Sequence, residues 1–382
     1  MLSLSLSNYK NILLSSLLLT SAICPSAYAQ SNDLHLGIGG YFRGYMTYAT
    51  QDTAVGSSER HVDIIRDSEI HLDGSTTLDN GLKVGAQFEF TTDMGDGFGV
   101  DKSFVYMSGD WGRVDFGGNN GVAYLLQVVA PAADSNYDGM RQYVRAVNYA
   151  LAPAAFAGIA AFDMEYAQDT TASSDKINYM TPVWNGFQAG VSWTPDVQAT
   201  AFVGNQESTT ASRGLAGVAA DDVAGAYGSG WDVAAHYETK ISDVEIVMGA
   251  GYILVEQEQS AAGEDDLHAW NIATAIQYNN LGLGMSYSEN DNGTSPDKDT
   301  QILVIGADYK IEDWKLGASW YTREDDNFAG PTALETDRYS LGAGYTYGPG
   351  MSVRGSVHYI DHEVGAADMD ATTFLLGTQI NF

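Results

Sequence analysis

Bond-making chemistry needs a nucleophile, a base or a metal held by convergent side chains, and this sequence spaces its candidates too far apart for that. The 7 histidines are scattered. His358 and His362 stand in one segment that runs from strand to loop, with no third ligand near them in the chain. His268 is isolated, and no Ser/His/Asp arrangement stands out. Charge does show a pattern. The segment Gly118–Ser174 carries Asp134, Asp138, Arg141, Arg145, Asp163 and Glu165 among apolar Tyr124, Leu125, Leu126, Val128, Val129, Phe156 and Phe162. Arg43, Lys83, Arg113 and Arg354 sit on the polar parity of short alternating segments. Acids and bases opposed across a wet gap set a field that orients water and dipolar solutes without making or breaking a bond. No enzyme activity is expected.

The elements that must hold these charges have a period of two. Phe374, Leu376, Thr378, Ile380 and Phe382 share one parity, and Thr373, Gly377, Gln379 and Asn381 share the other. Trp314, Leu316, Ala318 and Trp320 alternate with Lys315, Gly317, Ser319 and Tyr321, and Tyr339, Leu341, Ala343 and Tyr345 do so with Arg338, Ser340, Gly342 and Gly344. On a helix these apolar residues would spread round every side, whereas on a strand they form one face. Short connections rich in turn residues (Asp79-Asn80-Gly81, Asp110-Trp111-Gly112, Asn185-Gly186, Ser242-Asp243, Asn279-Asn280, Glu312-Asp313, Gly348-Pro349-Gly350) alternate with long ones. The long ones run over Thr50–His61, Thr92–Gly99, Gly118–Ser174, Pro195–Ser229, Glu256–Leu267, Glu289–Asp299, Glu324–Glu335 and His362–Asp370. Seven short and eight long connections join sixteen strands and leave both chain ends on the short-turn side. The expected fold is therefore all-β, a transmembrane antiparallel up-and-down barrel of about 16 strands. A secreted sandwich or solenoid is the competing architecture, but 42 Gly, 23 Tyr and 7 Trp against only 18 Lys+Arg fit a barrel with aromatic girdles. Interior glycines such as Gly37, Gly39, Gly342 and Gly344 are expected to give room and bend. The apolar content of Gly118–Ser174 predicts that this third long loop folds into the lumen and packs on the wall.

Lys10, an apolar run from Ile12 to Ile23 and Ala27-Tyr28-Ala29 before Gln30 have the order of a cleaved secretory signal, which predicts a signal peptide over 1–29 and a single barrel domain over 30–382. Cys24, the only cysteine, lies upstream of that cleavage point, and Ile23 is too large for the residue that lipoprotein processing requires. Beyond the signal no apolar run reaches the ~18 residues of a transmembrane helix. A formal charge of -31 argues against nucleic acid or anionic lipid as charge-driven partners. The acid crowds into Glu256-Gln257-Glu258, Glu264-Asp265-Asp266, Glu289 to Asp299 and Glu324-Asp325-Asp326, loops that would hold divalent cations such as Ca2+; no cofactor is otherwise expected.

The stretch Gly112-Arg113-Val114-Asp115-Phe116-Gly117-Gly118-Asn119-Asn120-Gly121-Val122 resembles the strand leading into the third loop of the general bacterial (Gram-negative) outer-membrane porin family. Leu78-Asp79-Asn80-Gly81-Leu82 with Gln87-Phe88-Glu89-Phe90, Ile177-Asn178-Tyr179 through Pro182 to Trp193, and the terminal Gln379-Ile380-Asn381-Phe382 extend the resemblance over nearly the whole mature chain. It implies a homotrimer in the bacterial outer membrane, among lipid and lipopolysaccharide, assembled by machinery that reads Phe382. It also implies a pore for small polar solutes, narrowed by the third loop at Asp134, Asp138, Arg141 and Arg145 and faced by wall residues Arg43, Lys83 and Arg113. The chain departs from the family in having Gly118 where an Arg is frequent, and Ala130-Pro131-Ala132-Ala133-Asp134 in place of an acidic Pro-Glu-Phe-type turn. The family's placement would put a pore arginine at Arg66, but parity groups Arg66 with Ile64, Ile70 and Leu72. The expected function is passive diffusion of small polar solutes and ions, with a preference for cations since 49 Asp+Glu stand against 18 Lys+Arg. A substrate-selective channel, hinted at by Tyr137, Tyr143 and Tyr149, and a non-conducting surface adhesin are the alternatives.

Overall fold

The computed structural model describes residues 34–94, 97–156, 158–159, 164–197, 221–296, 298–329 and 332–382. The expected signal peptide, Asp163 and Phe162 lie outside them. Sixteen strands follow one another: β1 (His35–Gln51), β2 (Val62–Thr77), β3 (Lys83–Met94), β4 (Gly97–Gly109), β5 (Gly112–Gly118), β6 (Asp175–Met180), β7 (Phe187–Thr194), β8 (Tyr227–Ile241), β9 (Val244–Gln257), β10 (Leu267–Tyr278), β11 (Leu281–Asn290), β12 (Thr300–Ile311), β13 (Trp314–Ala329), β14 (Thr332–Gly348), β15 (Met351–Val364) and β16 (Ala367–Asn381). Each pairs antiparallel with its sequence neighbours, and β1 pairs with β16 from Tyr41↔Asn381 to Gln51↔Ala371, closing the barrel. Closure leaves no unpaired edge, the condition for strands to cross a bilayer.

Alternation decides which face is which. On β16, Phe374 and Leu376 are 51% and 56% exposed, whereas Thr373 and Leu375, which alternate with them, are 0% and 3% exposed. The apolar parity points out and the mixed parity points in, as the period of two predicts. The two-residue connections at Ser242-Asp243, Asn279-Asn280 and Glu312-Asp313 each open on a residue with positive φ (57°, 50° and 51°), the backbone a tight hairpin demands.

Three connections expected to be long are not. β3 and β4, β13 and β14, and β15 and β16 continue through Thr92–Gly99, Glu324–Glu335 and His362–Asp370 and leave only two residues between strands. Polar sequence there marks the end of the lipid belt, not the end of pairing. Arg323↔Thr336, Glu324↔Glu335 and His362↔Met369 remain in register. The acidic run Glu324-Asp325-Asp326 accordingly lies in β13, with Asp325 buried and bonded to Arg323 Nη2 at 2.6 Å.

The connection from β5 to β6 enters the barrel. It opens with one helical turn, α1 (Val122–Leu125). Its Tyr124, Tyr137, Met140, Val144, Phe156 and Tyr166 share a buried cluster with Tyr45, Val304, Tyr321, Leu334, Ile360 and Leu375 of the inner wall. Glycines on three adjacent strands make the seat. A Cβ on Gly306 would collide with the Pro131 carbonyl, one on Gly317 with the Ala132 carbonyl, and one on Gly342 would stand 2.8 Å from the Ala133 carbonyl. Gly342 thus gives room, as expected. Gly37 and Gly344 would meet nothing closer than 3.8 Å and serve no such contact, while a Cβ on Gly39 would stand 3.2 Å from the Phe382 carbonyl.

Candidate functional site

The loop is fastened to the wall by polar groups whose partners are mostly backbone. Lys176 on β6 is 2% exposed, and its ammonium donates to the carbonyls of Asn119 (2.5 Å), Thr171 (3.2 Å), Ala172 (2.6 Å) and Ser174 (2.9 Å), joining both feet of the loop. Arg338 on β14 is fully buried, lies over the Tyr321 ring and points at the carbonyls of Tyr137, Asp138 and Met164 at 3.3–3.4 Å. Neither role was legible in the sequence, because a side chain that binds distant backbone carbonyls leaves no residue pattern to find.

Asp134 and Asp138, expected to line a constriction, are turned under the loop, 3% and 1% exposed. The Asp138 carboxylate accepts from the backbone N–H of Ala133 (2.8 Å) and Asp134 (2.7 Å) and from the Ser319 hydroxyl. Asp134 accepts from the Tyr45 hydroxyl and from Arg354 Nη1, both at 3.1 Å. These carboxylates hold a turn whose N–H groups would otherwise be orphaned in a water-poor space. Arg141 pairs with Asp169 and donates from Nε to the Tyr124 hydroxyl at 2.9 Å. Burial works against its charge, but the Asp169 carboxylate prevails and holds the guanidinium above its ordinary range. Arg145 is exposed on the loop.

On the wall, Arg43 pairs with Asp67 at 2.8 Å, and its guanidinium is sandwiched between the rings of Tyr41 (3.8 Å) and the loop residue Tyr143 (3.7 Å). Arg113 stacks on Tyr106 at 4.4 Å and pairs with Asp115 at 2.6 Å, while Lys83 is exposed above the same ring at 5.6 Å. Arg66 is exposed on the outward parity with Ile64 and Leu72. Among the described residues the loop acid Asp134 is paired with the wall base Arg354, and Arg43 and Arg113 are paired with Asp67 and Asp115 of the wall itself, so these charges neutralise one another locally.

Sequence reasoning missed the acid on the wall itself. Asp67, Glu69, His71 and Asp73 lie on the inward parity of β2, and Glu89 stands beside them on β3, opposite His71. The signal was there, as a carboxylate at every second residue interrupted by one imidazole. His71 meets Glu69 at 2.9 Å, Tyr106 donates to Asp73 at 3.1 Å, and Lys102 meets Glu89 at 2.5 Å. Among the described residues, Glu69, His71 and Glu89 form a group of potential metal ligands. His358 and His362 instead bond to Ser340, Ser356, Thr336 and the loop's Tyr149. Phe382 closes the seam, its backbone exchanging hydrogen bonds with Gly40 at 3.0 and 3.1 Å while its ring stays exposed.

The family model described as Gram-negative porin matches residues 15–365. No curated protein matches the chain. Among solved structures, an anion-selective porin from Comamonas acidovorans aligns with TM-score 0.59 at 15% identity, covering 92% of this chain and 100% of that one. A porin refined at 1.8 Å aligns with TM-score 0.56 at 16% identity (91% and 100% covered), and a triple mutant of Rhodopseudomonas blastica porin with TM-score 0.55 at 17% identity (91% and 100%). At these identities the likeness is one of fold.

Proposed function

The chain belongs to the Gram-negative porin family and is an outer-membrane porin channel, and from that premise we propose that it passes small polar solutes and ions by passive diffusion with a preference for cations. The observation that carries the preference is the row Asp67, Glu69 and Asp73 on β2 with Glu89 on β3, all on the inward face. Against these four carboxylates stand Arg43, Lys83 and Lys102, and the neighbouring Arg113 is neutralised by Asp115. Cation enrichment follows from the excess of fixed negative charge and weakens with salt.

The remaining parts of the reading follow the family. Residues 1–29 are removed on export and 30–382 form one domain. Three copies associate through the outward faces of the first and last strands, where Phe42, Met46, Phe374 and Leu376 are exposed. Lipid and lipopolysaccharide surround the assembly, the barrel-assembly machinery reads Phe382, and the external acid takes up divalent cations such as Ca2+. No cofactor takes part. Planar-bilayer recording of purified protein tests the proposal: ohmic steps with a cation-signed reversal potential in a salt gradient support it, solute block of those steps indicates a substrate-selective channel, and silence a surface protein that does not conduct.

A further inference from the structure

The lumenal face of β2 and β3 holds a second arrangement that ion conduction does not require. We propose that Glu69, His71 and Glu89 form a binding site for a divalent transition-metal ion of the zinc type. Their ligand atoms all lie within 4.8 Å of one another. Tetrahedral ligands at ~2.0–2.1 Å from zinc stand roughly 3.4 Å apart, a closure that rotation of the two glutamate side chains supplies without moving the backbone. His71 and Glu89 face each other across the β2/β3 register, and Glu69 is the next inward residue on β2. His71 and Glu89 are 9% and 7% exposed, and the Tyr41 ring meets the imidazole edge-on at 5.9 Å, so the imidazole is held before any ion arrives.

The site already holds a cation. The Lys102 ammonium rests 2.5 Å from Glu89 and has a second partner, Asp101, at 3.3 Å, to which it can retire. The three carboxylates Glu69, Glu89 and Asp101 against this one ammonium leave two uncompensated negative charges. One divalent ion cancels them, and Arg43 with Asp67 remains a separate neutral pair. The donor set chooses the class of ion. One imidazole and two carboxylates, with water from the lumen as the fourth ligand, suit zinc and its neighbours, whereas Mg2+ and Ca2+ require more oxygen ligands.

Calorimetric titration of ZnCl2 into folded, detergent-solubilised protein tests the site, with excess Mg2+ present to occupy the acidic loops. Because binding is read as heat, the outcome is independent of whether the barrel conducts. One Mg2+-resistant zinc ion per chain is expected, weakened about tenfold or more by His71→Ala and by Glu89→Gln, and tightened roughly fivefold by Lys102→Met, which removes the competing charge. Folding of each variant is checked by the barrel's resistance to SDS at room temperature; should His71→Ala not fold, Glu89→Gln decides. Absence of a Mg2+-resistant site, or a zinc affinity that neither ligand variant changes, overturns the proposal.

Discussion

Asp138 and Glu69 are both carboxylates inside the barrel, one on the loop and one on the wall, yet they do different work, and substitution separates them. Asp138→Asn replaces with an amide donor one of the two oxygens that together accept from two backbone N–H groups and the Ser319 hydroxyl, which should destabilise the loop turn by about 1–3 kcal/mol. It should appear as faster proteolysis within the loop and noisier single-channel current, with little change in ion preference. Glu69→Gln with Asp73→Asn should leave the loop alone and lower cation preference, as read from reversal potentials. Arg43→Ala should raise both conductance and cation preference, because it removes a cation wedged between Tyr41 and Tyr143. An unchanged conductance would mean that Arg43 does not border the ion path. Alternation groups Arg43, Lys83, Arg113 and Arg354 on one parity, and the structure sets Arg43 against the loop's Tyr143 and Arg354 against the loop's Asp134. Alternation could not tell a carboxylate that faces water from one consumed by a turn, because that depends on how residues Ala133 to Asp138 fold back on themselves.

At the scale of elements, the third loop and the strands beneath it were shaped together. Gly306, Gly317 and Gly342 give backbone clearance to Pro131, Ala132 and Ala133, so the loop's path is written partly into the strands it crosses. Gly317→Ala should push the loop off the wall into the lumen, lowering conductance and costing about 1–3 kcal/mol of stability. Gly344→Ala, with no atom within 3.8 Å of the added carbon, should do neither. Conductance steps and thermal unfolding of the two variants make the comparison, and equal behaviour would deny the seat. The apolar residues of Gly118–Ser174 were enough to predict that the loop enters the barrel. Its moorings, Lys176 and Arg338, were not legible because their partners are carbonyls remote in sequence. Three loops were overestimated for a different reason: hydropathy reports where lipid ends, while the hydrogen-bond ladders of β3 with β4, β13 with β14 and β15 with β16 continue beyond it.

For the molecule as a whole, the strand count and the lipid-facing parity were readable, since a closed barrel in a bilayer imposes them on every strand, whereas the alternation of turns and loops failed at the three connections β3–β4, β13–β14 and β15–β16. Phe382 lies where the ends meet. Deleting it removes two backbone bonds to Gly40 and at most roughly 1.5–3 kcal/mol of side-chain burial, little for a sheet paired on every side. Truncation should therefore reduce the amount reaching the outer membrane more than it lowers the unfolding temperature of barrels already assembled, and normal surface levels would refute an assembly role. Ion preference is the whole-molecule property on which the functional account depends, because it sums the acidic row of β2 and β3 with the external acid. Its most direct test is the zero-current potential of single channels across a KCl gradient at low ionic strength, where screening reaches roughly 30 Å. The account predicts a cation-signed potential that falls when Glu69 and Asp73 are replaced by Gln and Asn; an anion-signed potential, or one indifferent to those replacements, would contradict it.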